Sequence, residues 1–271
     1  MALPPLTPEL IERLEHATLA KGVGTLRRAA ELPGNPYDVE VRDLGGMVAT
    51  RVGQLPHLPW YNALVGLGSD NLPLLDEVLE SYTAHAVVPT ITMWATRLSP
   101  AVGAALFDRG FTAQAVSVTL YAAPEITLSP GSQGVEVIEL AIDEPMPTFD
   151  NVMLAGYEFD HPAQRALAIL ENEGPEMRRY LALMDGQPAA AAVLSHHDGI
   201  AYLAGAATLS GFRERGAQAA LIQQRLTDAA EQSELVVVTT AFTSPSQRNL
   251  ERFGFSLAHL KTLWVPRSSL Q

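Results

Sequence analysis

Between residues 177 and 242 the apolar positions change period several times, and each change marks a predicted element. MRRYLALM (177–184) reads as a strand, Asp185 and Gly186 as a tight turn, and residues 188–194 as a second strand, which together make a hairpin. His196 and His197 fall in the next turn with Asp198 and Gly199, and residues 200–208 read as one further strand. From 216 to 231 the apolar residues Ile222, Leu226, Ala229 and Ala230 recur at helical spacing. LVVVTTAF (235–242) is then continuous and β-branched, as a strand buried on both faces should be. Strand, crossover helix and buried strand in that order predict a right-handed parallel unit.

The first half follows the same plan. Thr7, Pro8 and Glu9 open a helix, Leu10, Ile11 and Leu14 give it an apolar stripe, and Gly22 is the expected stop. Strand, helix and strand patterns follow at 60–68, 72–85 and 87–95. LFDRGF (106–111) then precedes the strand AQAVSVTLYA, just as LERFGF (250–255) precedes LAHLKTLWV. Two Gly-Phe pairs half a chain apart point to a duplicated domain. APEITLSPGSQG (123–134) has the composition of a connection, so the expected division is a domain at 1–123, a linker at 124–133 and a domain at 134–271. The copies differ at one turn: GFRERGAQ (211–218) in the second corresponds to GSDNLP (68–73) in the first.

Charge sharpens that difference. With 30 acidic against 18 basic residues the chain carries a formal charge of −12, which disfavours a nucleic-acid partner. MALPPLTPEL lacks a secretory pattern and no apolar run approaches the roughly 18 residues of a membrane span, so a cytoplasmic protein with no membrane association is expected. The absence of cysteine excludes disulfides, a thiolate nucleophile and Cys-rich metal sites. Against this acidic background Arg213 and Arg215 stand beside Gly216 at a helix start, where cations are unfavourable unless an anion is held there.

The second half, about residues 134–266, resembles the GNAT superfamily of acetyl-CoA-dependent N-acetyltransferases, and the whole chain resembles its tandem two-domain members. The resemblance rests on Arg213-Glu214-Arg215-Gly216-Ala217-Gln218 after a strand, and on SPSQRNLERFGF beyond the next strand. It implies an α/β (α+β) fold of two tandem GNAT-like domains, each with a mixed, mostly antiparallel central sheet flanked by helices. It also implies acetyl-CoA as co-substrate; the residue spacing itself offers no convincing zinc site, so no metal is expected. Arg213, Glu214, Arg215, Gly216, Ala217, Gln218 and Ala219 would then hold the pyrophosphate, Gln218 departing from the usual Gly or Ala. Ala206, Ala207 and Thr208 would pair with the pantetheine arm beside the splayed strand 236–241. Ser246 and Asn249 would flank the thiol, or else serve only as a cap and a solvated face.

Two departures concern catalysis. Leu250 stands where many members carry a tyrosine that serves the leaving thiol, and Tyr202 stands about where several carry a glutamate base. Tyr202 is the catalytic candidate, with simple packing as its alternative. In GYEFDHP (156–162), Tyr157, Glu158 and Asp160 are candidate acceptor-binding residues, and a plain inter-helix loop explains them equally. The implied activity is acetyl transfer to a primary amine, on a small molecule or a peptide, by direct attack. The alternatives are a non-catalytic acyl-CoA-binding or partner-binding module, and an assembly scaffold. The first copy is expected to have lost the cofactor turn and to brace the acceptor cleft or an oligomer interface, a homodimer being the assembly in view.

Overall fold

The computed structural model describes residues 3–125, 134–141 and 146–270. Most of the expected linker, residues 126–133, lies outside the described residues. In chain order the elements are α1 (Pro8–Glu31), β1 (Val39–Asp43), β2 (Val48–Val52), β3 (Ala63–Val65), α2 (Leu75–Ala84), β4 (Thr90–Trp94), α3 (Pro100–Asp108) and β5 (Phe111–Ala122). There follow β6 (Val135–Leu140), α4 (Pro147–Tyr157), α5 (Pro162–Glu171), β7 (Met177–Met184), β8 (Gln187–His197), β9 (Ile200–Tyr202) and β10 (Ala206–Thr208). The chain ends with α6 (Ala217–Ala229), β11 (Leu235–Ala241), α7 (Pro245–Arg252) and β12 (Ser256–Pro266).

Two compact units result. The larger gathers Met1–Gly22 and Thr119–Ala258, and the smaller gathers Val23–Val118 and His259–Gln271. Helix α1 does not stop at Gly22. Val23, Leu26 and Ala29 continue its buried stripe, and the burial offsets the roughly 1 kcal/mol that a glycine costs inside a helix. Gly22 instead marks where the helix passes from the larger unit to the smaller.

In the smaller unit the strand order is β1-β2-β3-β4-β12-β5, and the β3–β4 pair is parallel. Met47, Leu64, Leu75, Ile91, Leu106 and Phe111 form its core, with α2 supplying Val78 and Tyr82. In the larger unit the order is β6-β7-β8-β9-β11-β5, with β6–β7, β7–β8 and β8–β9 antiparallel and β9–β11 parallel. One face of that sheet carries Ile200, Leu235 and Val237, which pack with Leu10 and Leu14 of α1. Next to them Met177, Leu181, Ala191 and Val193 pack with Phe149, Val152 and Met153 of α4. Helix α6 covers the opposite face: side chains alternate along β7, and Arg178, next to inward-facing Met177, reaches Asp228 of α6 at 3.4 Å.

The segment 200–208 differs from the single strand expected of it. It breaks at Leu203–Gly205, where the Val193 N–H is shared between the Ala204 and Gly205 carbonyls at 3.3 and 3.0 Å. Gly205 has φ +31, a value that most side chains would strain. The break is held from the α6 side by Arg225, only 2% exposed, whose Nη1 donates to Val193 O at 3.0 Å and Ala204 O at 3.3 Å. Burial lowers the pKa of this guanidinium to about 10, so it stays charged at neutral pH. His196 and His197 likewise end β8 instead of making the turn: the hairpin pairing with β9 extends through both. Their rings part, His196 Nδ1 lying 3.0 Å from Ser233 Oγ and His197 Nε2 3.4 Å from an Asp198 carboxylate oxygen.

Replacing Arg225 with methionine should leave two buried carbonyl groups short of a donor. A loss of about 1–3 kcal/mol in unfolding free energy is expected from urea titration; an unchanged midpoint and slope would show that the carbonyls find other partners.

Candidate active site

The strand break opens a fork. The parallel ladder between β9 and β11 ends at Tyr202 opposite Val237, with one last bond from Leu203 N–H to Val237 O at 3.0 Å. Beyond that point β10 pairs with β8, and among the described residues no ladder joins β10 to β11. The edge of β10 that faces the gap therefore lacks a strand partner, and its Ala206 N–H is held by the Tyr157 hydroxyl at 2.9 Å.

At the end of β10 the chain makes a short turn at Ser210–Phe212 and enters α6 through residues 213–216. Glu214 and Gly216 both have positive φ, +61 and +89, and Gly216 is the N-cap residue. Gly216 has no side chain to cap the helix, and the first turn holds no acid. The amides of Ala217, Gln218 and Ala219 thus point out of a helix mouth that favours negative charge. Gln218 does not obstruct it, because its Nε2 is tied back to Thr208 Oγ1 at 2.8 Å.

The mouth opens into a cleft of about 900 Å³ lined by Thr208, residues 212–219 and one face of α7. That volume lies within the range of small-molecule sites. Of the residues singled out for cofactor binding, the cleft brings together Thr208, Arg213, Glu214, Arg215, Gly216, Ala217, Gln218, Ala219 and Asn249. Ala206 and Ala207 stand outside its lining, on β10, and Ser246 is exposed on another side of α7. Sequence reasoning missed Phe212, Pro245, Arg248, Arg252 and Phe253, which also line the cleft. Pro245, Arg248, Asn249 and Arg252 follow the i, i+3, i+4, i+7 spacing of one helix face, a signal present in the sequence.

Tyr157 ends α4 and Glu158 caps it in a left-handed conformation. Part of the Tyr157 ring is exposed and stacks on Phe159 at 5.3 Å, but its hydroxyl end is enclosed and accepts the Ala206 N–H at 2.9 Å. Burial is the main cause that raises the pKa of this phenol. Glu158 and Asp160 are exposed in the loop between α4 and α5, outside the cleft lining.

Tyr202, at the base of the fork, is half-buried and packs against the clusters of both α1 and α4. Burial raises its pKa above the ordinary tyrosine value, and the charges of Glu171, Tyr157 and Glu15 add to the effect. Glu15, 2% exposed on α1, accepts a hydrogen bond from Thr119, and Lys21, 4% exposed, pairs with Glu171. These acids were not read from the sequence. An acid next to Leu14 on an amphipathic stripe was the available signal, but its partner lies 104 residues away. Leu250, at the place of the family's tyrosine, is buried at 5% exposure and carries no donor.

Residues 139–255 match the Acetyltransferase (GNAT) family. Among solved structures, the chain resembles a GCN5-related N-acetyltransferase from Kribbella flavida, at 19% identity over 89% of this chain and 95% of that one, with a TM-score of 0.61. It also resembles a tandem GNAT protein from the clavulanic acid biosynthesis pathway, at 15% identity over 91% of this chain and 94% of that one, with a TM-score of 0.60. A conserved protein of unknown function from Staphylococcus epidermidis gives 11%, 85%, 95% and 0.61 in the same order. The likeness is one of fold: an α/β chain of tandem GNAT type, with mixed, mostly antiparallel sheets flanked by helices. No curated protein sequence matches the chain. Among the described residues, no helix is long and apolar enough to cross a membrane.

The raised phenol of Tyr202 has a consequence for stability. A folded-state pKa above the unfolded value keeps its contribution intact below about pH 10, and the contribution is lost as pH rises further. Unfolding free energy should therefore fall as pH rises above about 10, and Tyr202→Phe should make the fall shallower. Identical pH slopes for the two proteins would place the hydroxyl in solvent.

Proposed function

We propose that the larger unit binds acetyl-CoA in the fork and cleft and transfers the acetyl group to a primary amine by direct attack. The observation that carries this reading is the α6 mouth: three outward amides behind a glycine cap, open to a cleft at the end of an unpaired strand edge. Pyrophosphate suits the mouth, and an extended amide-bearing arm suits the gap-facing edge of β10, where it would take over the Ala206 N–H from Tyr157 or pair beyond it. The GNAT match of the same segment supports acetyl transfer as the reaction.

In this scheme the amine nitrogen attacks the acetyl carbonyl carbon, the C–N bond forms, the C–S bond breaks, and the proton given up by nitrogen ends on the thiolate. With Leu250 buried and apolar, the hydroxyl of Tyr202 is the proposed proton donor to sulfur. Like any phenol it is protonated at neutral pH, the form a donor needs, while its burial makes it a weaker acid than a free tyrosine. Tyr157, whose oxygen already holds the Ala206 N–H, is placed to fix the β10 edge beside the reacting thioester. Exposed Glu158 and Asp160, together with the net negative charge, favour a cationic acceptor.

The corresponding turn of the smaller unit is filled by the protein itself. Arg97 donates to Gly66 O and to Asp70, both at 3.1 Å, and Asn71 Oδ1 takes the Gly68 N–H at 2.9 Å. We therefore assign one cofactor site per chain. Leu250 favours a second reading, in which the cleft binds an acyl-CoA without turning it over.

Calorimetry with acetyl-CoA should show a single site, weakened at least tenfold by Gly216→Val, which would strain a position at φ +89 and crowd the mouth. No heat from the wild type, or equal affinity in the variant, would remove the proposal. With a panel of amines, release of free thiol should be steady and should fall by roughly 10²-fold in Tyr202→Phe with little change in the KM for acetyl-CoA. Binding without release for any amine would establish the second reading instead.

A further inference from the structure

Helix α7 turns Pro245, Arg248, Asn249 and Arg252 toward the cleft, so two guanidinium groups stand one turn apart on the wall facing the α6 mouth. Both are held by neutral oxygens: Arg248 Nη1 donates to Thr243 O at 2.9 Å and Arg252 Nη1 to Asn249 Oδ1 at 3.0 Å. Among the described residues neither forms a salt bridge, although Glu251 lies between them on another side of the helix, bonded to Gln247 at 2.8 Å. Helix electrostatics account for Arg252, in the last turn, but not for Arg248, which sits in the N-terminal half where a cation opposes the macrodipole.

The opposite wall already has what a pyrophosphate requires, in the amides of residues 217–219 with Arg213 and Arg215 beside them. The pair on α7 is surplus to that need, and two adjacent guanidinium forks match the oxygens of a phosphate monoester, which carries about 1.5–2 negative charges at neutral pH. Resting on the proposed cofactor, we propose that Arg248 and Arg252 form a subsite for the ribose 3′-phosphate of coenzyme A. The cleft then selects 3′-phosphorylated carriers over carriers that have only the pyrophosphate. Asn249 positions Arg252 through its Oδ1 and is not itself a phosphate ligand.

The test is calorimetry on the full chain with coenzyme A and with 3′-dephospho-coenzyme A, for the wild type and for the double variant Arg248→Ala with Arg252→Ala. The wild type should bind coenzyme A about tenfold to a hundredfold more tightly than the dephospho form. In the double variant coenzyme A should weaken to the dephospho level while dephospho-coenzyme A keeps its wild-type affinity. Equal affinity of the wild type for both ligands, or an equal loss for both in the variant, would overturn the subsite while leaving the cofactor reading in place. Binding of neither ligand by the wild type would overturn both. Because both arginines are exposed, the variant should keep the wild-type unfolding midpoint, which a thermal scan verifies.

Discussion

The larger unit depends on one buried guanidinium. A strand that continued straight from Ile200 to Thr208 would pair with β11 along its whole length and leave no gap. Arg225 makes the alternative stable by supplying donors to the Val193 and Ala204 carbonyl groups where the ladder breaks. The price is a charge taken out of water without a carboxylate, which is tolerable because carbonyl oxygens satisfy it. Everything downstream follows from that break: among the described residues β10 pairs only with β8, β11, flanked by β5 on its other edge, runs on past β9, and α6 starts where the two diverge.

Charge is distributed to the same end. Four of the chain's 18 basic residues line one cleft of a protein with net charge −12. Several arginines elsewhere are paired with acids, as Arg109 is with Asp76 and Arg178 with Glu139. Among the described residues the one acid contact of these four arginines is weak, Arg215 to exposed Asp185 at 3.5 Å, and the Arg215 guanidinium also lies 5.6 Å from the Phe212 ring centre. Such a cluster repels itself and keeps a local positive field, which draws an anion from solution before any specific contact is made.

What was legible in the sequence was local. Arg213 and Arg215 beside Gly216 announced the helix mouth, and residues 235–242 announced a buried strand through their β-branched run. The fork was expected, but its cause was not: Leu203, Ala204 and Gly205 continue the apolar pattern, and only Arg225, some twenty residues later, interrupts the ladder. Tyr202 was found as a candidate from a resemblance, whereas the acids around it arrive from α1 and α5 through contacts no window of sequence can show. Helix α1 was cut short for the same reason: Gly22 is a local stop signal overruled by burial on both sides of it.

The division of the chain has a consequence for synthesis. Helix α1, β5 and β12 each have residues in both units, and the smaller unit takes His259–Gln271 from the far end of the chain. A ribosome delivers Val23–Val118 long before those residues exist, so β4 must wait for its β12 neighbour until the last strand emerges. Through that interval the edge of β4, including buried Ile91 and Met93, is an unpaired template. The duplication that looks in sequence like two beads on a string is, in the order of events, a structure whose first half is completed last.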